Sequence, residues 1–305
     1  MERLVDLAVA WSWEYDAAFV EVLGRACGER GLSVLDITPA TLPAALAAIG
    51  DDELGFRVLL DRAGDADVAF RSLGDWGRHH GARIVNDLPI AERAWDKATM
   101  HLEFISAGIH TPHTLLLAPF AVEPDLPAPD LTPLGSRFLI KPAHGGGGTG
   151  VRLNLSTWEE IQRIRRRHPE DKYLAQEWVT AALTHHGPAW FRVIYALGEV
   201  LPFWWGVASH VYSPLTAAQE ATHGLGNLRD TVRTIAAVCG LDIFSTEIAR
   251  RHDDGELVSV DYVNDPIDLR PQSGAIDGVP DTAIDTLAAR IADLVAETAA
   301  AGRPS

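Results

Sequence analysis

The chain has 305 residues, which is longer than the chains that usually fold around a single hydrophobic core. We therefore expect two or three packed units. Its 26 basic and 42 acidic residues give a formal net charge of −16, which disfavours nucleic acid as a partner because a polyanion would be repelled. Apolar runs stay below the roughly 18 residues of a membrane span, and Glu2 stands where a signal peptide carries positive charge, so we expect a cytoplasmic protein without a membrane partner.

The first part of the chain alternates strand and helix patterns. Strand patterns lie at residues 4–10, 32–37, 56–60 and 82–85. The segments between them have helical spacing, at residues 15–30, 41–49 and 67–79. Because such alternation with short loops is typical of a parallel sheet covered by helices, we predict an α/β unit over residues 1–93.

The middle part of the chain has a different pattern. Residues 94–107 have the spacing of a single helix that ends at Gly108. Ser156 is predicted to cap a helix over residues 158–167, with Glu159 completing a capping box. Strand patterns lie at residues 114–117, 138–142, 151–155 and 173–179. Two of these strands flank a run of four glycines.

The last third contains consecutive strand patterns. They lie at residues 190–197, 200–208, 243–249 and 257–263. Gly198 and Glu199 predict a tight hairpin turn between the first two strands. Helices are predicted over residues 225–239 and 281–299. Consecutive strands of this kind favour an antiparallel sheet.

The glycines belong to the stretch FLIKPAHGGGGTGV, at residues 138–151, which has the literal spacing of a dinucleotide loop at Gly145, Gly147 and Gly150. A dinucleotide loop opens a helix, whereas the segment after Gly150 alternates like a strand, and no Gly-Lys-Ser/Thr follows as in a Walker A loop. A flexible linker would have polar, unstructured flanks. The remaining interpretation is a hairpin whose free backbone N–H groups cover phosphates, with the charge of Lys141 beside them.

Six segments, taken in order, resemble the ATP-grasp superfamily of enzymes. They are residues 94–112 with a lysine-bearing helix, 138–151 with a second lysine and the glycine-rich hairpin, 173–179 as the strand beside adenine, 190–200 as the arginine strand, and 240–247 and 258–266 as the metal-bearing strands. The resemblance implies an ATP-grasp fold in which two α+β lobes, at residues 94–179 and 180–305, clamp ATP. Residues 1–93 would form the Rossmann-like pre-ATP-grasp domain.

The resemblance also implies an activity. An ATP- and Mg²⁺-dependent ligase of this kind activates a carboxylate as an acyl-phosphate, which an amine then attacks. The partners would be small-molecule or peptide carboxylates and amines, and dimers are common in such enzymes, so a homodimer is one expectation. Two alternatives stay open: a small-molecule kinase on the same scaffold, and a nucleotide-binding module without catalysis.

The ATP contacts implied by the resemblance come from three segments. The residues are Lys97, Lys141, Gly146, Gly147, Gly148, Gln176, Glu177 and Val179. The two lysines would neutralise phosphates as point charges, and the chain has only one other lysine, Lys172. Gln176 carries both an amide donor and an acceptor, so it can read the amino edge of adenine. The backbone of Glu177 and the N–H of Val179 would complete the adenine contacts.

Two arginines are the candidate catalytic residues. Arg192 lies in an otherwise apolar strand, where a guanidinium needs an anion. Its implied role is a planar fork on the γ-phosphate as charge develops during transfer. Arg270 follows the last metal-bearing strand and would bind a substrate carboxylate or phosphate. For both, the alternative is a structural ion pair.

The candidate metal ligands are Glu247, Asp261 and Asn264, which offer the hard oxygen atoms that Mg²⁺ or Mn²⁺ prefers. The family carries Glu-x-Asn on its second metal-bearing strand, and here Tyr262 stands in the place of the glutamate. Adjacent side chains of a strand face opposite sides. Either a bulge therefore re-aims Asp261, or Asp265 supplies the carboxylate.

Two further features stand outside these motifs. Alternation along the strand turns Trp204 to the face opposite Phe203 and Trp205, and core packing is the favoured role for this group. His185 and His186 lie in a loop and are candidate bases. No zinc site is expected, because no Cys/His spacing supports one.

Overall fold

The computed structural model describes residues 3–301, which form three larger β-sheets with helices around them. The strands are β1 (Arg3–Trp11), β2 (Val34–Ile37), β3 (Leu54–Arg62), β4 (Arg83–Val85), β5 (Thr114–Leu117), β6 (Phe138–Pro142), β7 (Arg152–Leu155), β8 (Tyr173–Glu177), β9 (Leu183–Thr184), β10 (Gly187–Pro188), β11 (Trp190–Ala196), β12 (Glu199–Gly206), β13 (Val211–Pro214), β14 (Ile243–Arg250) and β15 (Leu257–Asn264). The α-helices are α1 (Ala17–Glu29), α2 (Leu42–Gly50), α3 (Arg71–His80), α4 (Leu88–Trp95), α5 (Lys97–Ser106), α6 (Trp158–Arg165), α7 (Ala217–Thr222), α8 (Leu228–Cys239) and α9 (Asp281–Ala301). Within this described range, no helix combines the length and apolar character that crossing a membrane requires.

The first sheet is parallel, in the order β2-β1-β3-β4, which confirms the parallel sheet predicted from the alternating pattern. Leu7 and Val9 of β1 pack in one core with α1 and α9. Ala8 and Ala10, on the opposite face, pack in a second core with α2 and α3. Both faces are therefore covered, as parallel sheets require, and α9 reaches this core from a distant part of the chain.

The second sheet is antiparallel, in the order β5-β8-β6-β7. Phe138 and Ile140 of β6 share a core with Ile161 and Ile164 of α6. The glycine-rich segment joins β6 to β7, which pair in antiparallel fashion, and this confirms the predicted hairpin.

One predicted helix is divided near this sheet, and another has a different N-terminal cap from the one predicted. The helix predicted over residues 94–107 is two helices, α4 and α5, because the Asp96 backbone is extended (φ −72°, ψ 95°) and its carboxylate caps the first amides of α5. Helix α6 begins at Trp158, so its capping box uses Thr157 and Glu160, each one residue later than predicted.

The third sheet is antiparallel, in the order β13-β12-β11-β14-β15, as the consecutive strand patterns predicted. Trp204 packs in the core that contains α8, whereas Phe203 and Trp205 belong to the core on the other face. The predicted alternation along β12 is therefore confirmed.

Two polar contacts join the first sheet to the segment after β15. Arg62 donates to the buried carboxylate of Asp16 at 2.6 and 3.0 Å, and to the carbonyl of Ile267 at 2.8 Å. Asn86 donates to Asp265 at 2.7 Å and to the carbonyl of Ile243 at 2.6 Å. The first sheet therefore fixes the course of the chain beside the end of β15.

Candidate active site

A cavity of about 440 Å³ lies between the second and third sheets. On the side of the second sheet its lining comprises Lys97, Leu139, Lys141, Pro142, Gly145, Gly146, Gly147, Gly148, Thr149, Val151 and Gln176. On the side of the third sheet its lining comprises Arg192, Trp205, Val207, His210, Tyr212, Glu247, Val260, Asp261, Asn264, Asp268, Arg270 and Asp277. Most of the residues singled out in the sequence therefore meet at one place.

The glycine-rich hairpin forms one wall of the cavity. Gly145, Gly147 and Gly148 adopt positive φ angles of 109°, 59° and 72°, which non-glycine residues rarely reach. Open space surrounds the position that a Cβ would occupy at each of them. The segment thus presents bare backbone to the cavity, as the sequence predicted.

Gly150 closes the hairpin, and its replacement by alanine is expected to lower the free energy of unfolding by about 1–3 kcal/mol. Its φ is +80°, and an added Cβ would lie 2.9 Å from Cγ of Pro142. Gly146 is the matched control, because its φ lies outside the left-handed region and its surroundings are open. Urea unfolding of both alanine variants checks the difference. Equal losses at the two positions would contradict the expected strain.

Two lysines approach the cavity from different elements. Lys97, the first residue of α5, donates from Nζ to the carbonyl of Gly145. Lys141 on β6 is 6% exposed, donates to the carbonyl of Val260 at 3.0 Å, and lies 3.8 Å from the Asp261 carboxylate. Burial lowers the pKa of Lys141 to about 8, against the opposing effect of Asp261. An anion in the cavity would stabilise the protonated form of Lys141.

Lys172 has a positioning role that the sequence did not indicate. It forms an ion pair with Asp96, the residue that caps α5. Since Lys97 is the first residue of that helix, Lys172 helps to hold the cap beside the cavity. In the sequence, only the rarity of lysine singled out Lys172.

Gln176 is the predicted adenine contact and lies buried on β8. Its Nε2 donates to the hydroxyls of Thr114, at 2.9 Å, and of Tyr262, at 2.7 Å. Its Oε1 is buried without a hydrogen-bond partner. Leaving such an acceptor unpaired costs about 1–3 kcal/mol, so a ligand donor at this end of the cavity would satisfy it.

The two neighbours predicted to complete the adenine contacts, Glu177 and Val179, are not among the residues that line the cavity. The N–H of Glu177 donates to the carbonyl of His113 at 3.0 Å, and its carboxylate pairs with Arg251 at 2.9 Å. Val179 packs with Ala249 in a small separate core. Their contacts to adenine stay a prediction.

Arg192 lies on β11 and projects into the cavity lining. It donates from Nη1 to Oε1 of Glu247 at 2.9 Å, and from Nε and Nη2 to the Ser245 hydroxyl at 3.2 and 3.1 Å. Its guanidinium lies 4.8 Å from the ring centroid of Trp205. The arginine is therefore held in one orientation by an ion pair, a hydroxyl and an aromatic face.

The pairing of β14 with β15 shows which of the two carboxylates, Asp261 or Asp265, lies beside Glu247. Two register shifts flank the pair Glu247–Asp261 in the β14–β15 ladder, and both residues line the cavity with Asn264. Burial and the charge of Asp261 raise the pKa of Glu247, against the effect of Arg192. Asp265 instead accepts hydrogen bonds from Asn86 and Trp95, outside the cavity. The bulge, not Asp265, brings the second carboxylate to the site.

Asparagine substitutions distinguish these two carboxylates. From the predicted role of Asp261 as a metal ligand, Asp261→Asn is expected to weaken Mg²⁺-dependent nucleotide binding by about 10–100-fold, because it removes one of the two carboxylates that would bind the ion. Asp265→Asn serves as the control and should leave the Mg²⁺ dependence within about twofold of the wild-type chain. Calorimetric titration of an ATP analogue at several Mg²⁺ concentrations provides the measurement. A larger effect at Asp265 would overturn the assignment.

Comparison with known proteins used the sequence and the fold. No protein-family model matches the sequence, and no curated protein sequence matches it. D-alanine–D-alanine ligase from Bacillus anthracis, complexed with ATP, aligns at a TM-score of 0.64 and 12% identity over 97% of both chains. The RimK domain protein ATP-grasp from Sphaerobacter thermophilus aligns at 0.62 and 23% identity, over 94% of this chain and 99% of the other. The ATP-grasp ligase PsnB, complexed with minimal precursor, Mg and ADP, aligns at 0.62 and 15% identity, over 96% and 98%. The chain has the ATP-grasp fold.

The ATP-grasp fold confirms the resemblance that six sequence segments indicated. Identities of 12–23% establish the fold alone, so the activity has to be inferred from the side chains of this cavity.

Arg270 lines the cavity and forms ion pairs with two aspartates. Its guanidinium donates to Asp268 at 2.7 and 2.9 Å and to Asp277 at 3.1 Å. These hydrogen bonds raise the pKa of Arg270 above its usual range. These hydrogen bonds use Nε and Nη2 of Arg270, which leaves Nη1 to donate to a substrate carboxylate, and its predicted role stays a prediction.

Several side chains of the cavity were not assigned to it from the sequence. Trp205 and His210 stack with an interplanar angle of 6°, and Tyr212 packs edge-on against Trp205. Tyr262 supports the cavity from behind, since its hydroxyl contacts Gln176 and its ring lies 4.9 Å from Nζ of Lys141. The Phe203–Trp205 run was the available signal, and the pairing of β12 with β11 and β13 places Trp205 in the cavity lining.

Proposed function

We propose that this chain is an ATP- and Mg²⁺-dependent ligase that activates a carboxylate as an acyl-phosphate for attack by an amine. One observation carries the proposal: a single cavity brings together two lysines beneath a glycine-rich hairpin and an arginine beside two carboxylates. Residues 1–93 would be the pre-ATP-grasp domain, 94–179 the small lobe, and 180–305 the large lobe with the metal site.

ATP fits the donor set on the side of the second sheet. Lys97 and Lys141 supply two positive charges next to the bare backbone of the glycine hairpin, which suits phosphate oxygens. The unpaired Oε1 of Gln176 suits the exocyclic amino group of adenine. The complexes of the B. anthracis ligase with ATP and of PsnB with Mg and ADP support this ligand class.

Mg²⁺ fits the donor set on the side of the third sheet. Glu247, Asp261 and Asn264 offer oxygen atoms, and burial and the charge of Asp261 raise the pKa of Glu247. A divalent cation relieves the repulsion between these two carboxylates, and Mn²⁺ accepts the same ligands. When bound, the metal supplies positive charge that stabilises phosphate oxygens during transfer.

The residues of the chain then have distinct parts in the two chemical steps. In the first, a carboxylate oxygen of the substrate bonds to the γ-phosphorus and ADP leaves; the fixed guanidinium of Arg192 stabilises the charge that develops on the transferred group. In the second, the amine nitrogen bonds to the acyl carbon, inorganic phosphate leaves, and the amine loses a proton. Trp205 and Tyr212 would exclude water from the acyl-phosphate.

Phosphate release from ATP tests the proposal. We expect release that depends on both a carboxylate and an amine, found by screening pools of each, with a product that contains both. A stable phosphorylated product from ATP and one substrate would assign a kinase instead. An ATP-induced rise in melting temperature without turnover in any pool would assign a nucleotide-binding module.

A further inference from the structure

Three histidines meet on the third-sheet side of the molecule, outside the cavity described above. His185 and His186 form the turn between β9 and β10, and His223 directly follows α7. One ring nitrogen from each lies within 4.8 Å of the others. The ring centroids are 4.0 Å apart for His185 and His186, and 5.4 Å apart for His185 and His223.

Local hydrogen bonds hold the backbone segments that carry the three histidines. The Thr184 hydroxyl donates to the carbonyl of Gly187 at 2.8 Å and accepts from the N–H of His186 at 3.1 Å, which closes the turn. The N–H of His223 donates to the carbonyl of Gln219 at 2.9 Å, at the end of α7. The three histidines therefore lie on two short, hydrogen-bonded elements, the β9–β10 turn and the end of α7.

Arg250 on β14 connects the two elements. Its carbonyl accepts from the N–H of Ala182, at 2.8 Å, just before β9. Its guanidinium donates to the carbonyl of His223. Because one strand residue holds both segments, the approach of the three rings is a property of the fold rather than of two independent loops.

Two of the ring nitrogens are available to a metal ion. One lacks a hydrogen-bond partner, and the other carries a lone pair. Nε2 of His223 is buried without a hydrogen-bond partner. Nε2 of His186 lies 2.8 Å from the amide nitrogen of Gln219, whose oxygen is already used by the N–H of Thr216 at 2.9 Å. The Gln219 amide therefore donates to His186, and that ring nitrogen carries a lone pair.

The surroundings suit a cation with imidazole ligands. Trp204 lies beneath the cluster, with ring centroids 5.0 Å from His186 and 5.3 Å from His223. All three potential ligands are imidazoles, which suit Zn²⁺, Ni²⁺ and Cu²⁺, whereas Mg²⁺ prefers oxygen atoms. The cluster is therefore chemically distinct from Glu247 and Asp261.

We propose that His185, His186 and His223 form a second metal site, which binds one Zn²⁺-class ion per chain. Tetrahedral coordination with Zn–N bonds of 2.0–2.1 Å places ligand nitrogens about 3.3 Å apart. Because the ring nitrogens lie within 4.8 Å of one another, the rings have to approach by at most about 1.5 Å. Two of the rings are exposed, which leaves a fourth position for water. The ion would connect the β9–β10 turn to α7 and displace the Gln219 amide from His186.

The site was not expected from the sequence, because Zn²⁺ sites are usually detected by the short spacing of their ligands. Here two ligands are adjacent in the chain and the third comes from a helix end much later. Arg250 anchors both segments, and the hydrogen bond between Gln219 and His186 joins them directly.

Zn²⁺ titration of the untagged full-length chain tests this site. Calorimetry in saturating Mg²⁺ should show one Zn²⁺ per chain, and the triple variant H185A/H186A/H223A should bind at least 100-fold more weakly. The pair His79 and His80 on α3 is the matched control, because these adjacent histidines bond backbone carbonyls of their own helix. H79A/H80A should bind Zn²⁺ as the wild-type chain does.

A second measurement needs no variant, so it decides the question even where the triple variant does not fold. Co²⁺ added to the wild-type chain should give the visible absorption of a tetrahedral nitrogen site, and Zn²⁺ should abolish it. The proposal is overturned by sub-stoichiometric Zn²⁺ binding, by a Co²⁺ spectrum typical of a hydrated octahedral ion, or by equal losses of affinity in the triple variant and the H79A/H80A control.

Discussion

Arg192→Met is expected to lower turnover by about 10³-fold while changing ATP affinity by less than about threefold. The guanidinium is held by Glu247, Ser245 and the face of Trp205, so it is oriented before any ligand arrives. A fixed planar donor acts most strongly on charge that appears during phosphoryl transfer rather than on bound ATP. Phosphate release and calorimetric ATP binding, measured on the same preparations, separate the two effects.

Arg229 provides the matched control for Arg192. It forms a similar ion pair with Glu220, at 2.8 and 3.0 Å, but does not line the cavity. Arg229→Met should lower stability without a comparable loss of turnover. If Arg192→Met retained turnover, or lost it only in proportion to ATP affinity, Arg192 would be a structural ion-pair residue.

Lys141→Met is expected to weaken ATP binding by about 100-fold, with little loss of stability in the ligand-free chain. Burial lowers the pKa of Lys141 to about 8, so the fold disfavours its charge when no anion is bound. Methionine fills a similar volume without the free-energy cost of burying a charged amine, although Asp261 loses a neighbouring charge 3.8 Å away. Calorimetric titration with an ATP analogue and thermal unfolding measure the two quantities.

The pH dependence of ATP binding provides a second test of Lys141. Its amine is protonated below pH 8 and loses its charge as the pH rises through that value, so ATP affinity should hold below pH 8 and fall above it. The decline should be absent in Lys141→Met. Lys172→Met is the lysine control: it removes support for the cap of α5 and should lower ATP affinity equally at every pH, but the shape of the pH profile should stay that of the wild-type chain, because this side chain does not line the cavity. A pH-dependent decline that persists in Lys141→Met would assign it to another group.

Much of the secondary structure could be predicted because local patterns determine it. The parallel first sheet, the antiparallel last sheet and the strand–glycine–strand hairpin follow from the period of apolar residues and from flanking context. The split at Asp96 was missed because a residue that continues a helical pattern can also cap a new helix.

The candidate site was predicted less completely, because cross-strand relations decide it. Register shifts between β14 and β15 bring Asp261 beside Glu247, and such bulges depend on two strands at once. The same holds for Trp205, whose position over Arg192 depends on the pairing of β11 with β12. The histidine cluster depends on contacts between segments far apart in the chain.

Helix α9 has a consequence for the order of events during synthesis. Its apolar residues, among them Leu287, Ile291 and Val295, cover the face of the first sheet that presents Leu7 and Val9. A ribosome delivers that sheet long before residues 281–301, so the nascent chain carries an uncovered apolar face while the intervening residues are made. Completion of the first core therefore awaits α9, and chaperone protection would matter most during that interval.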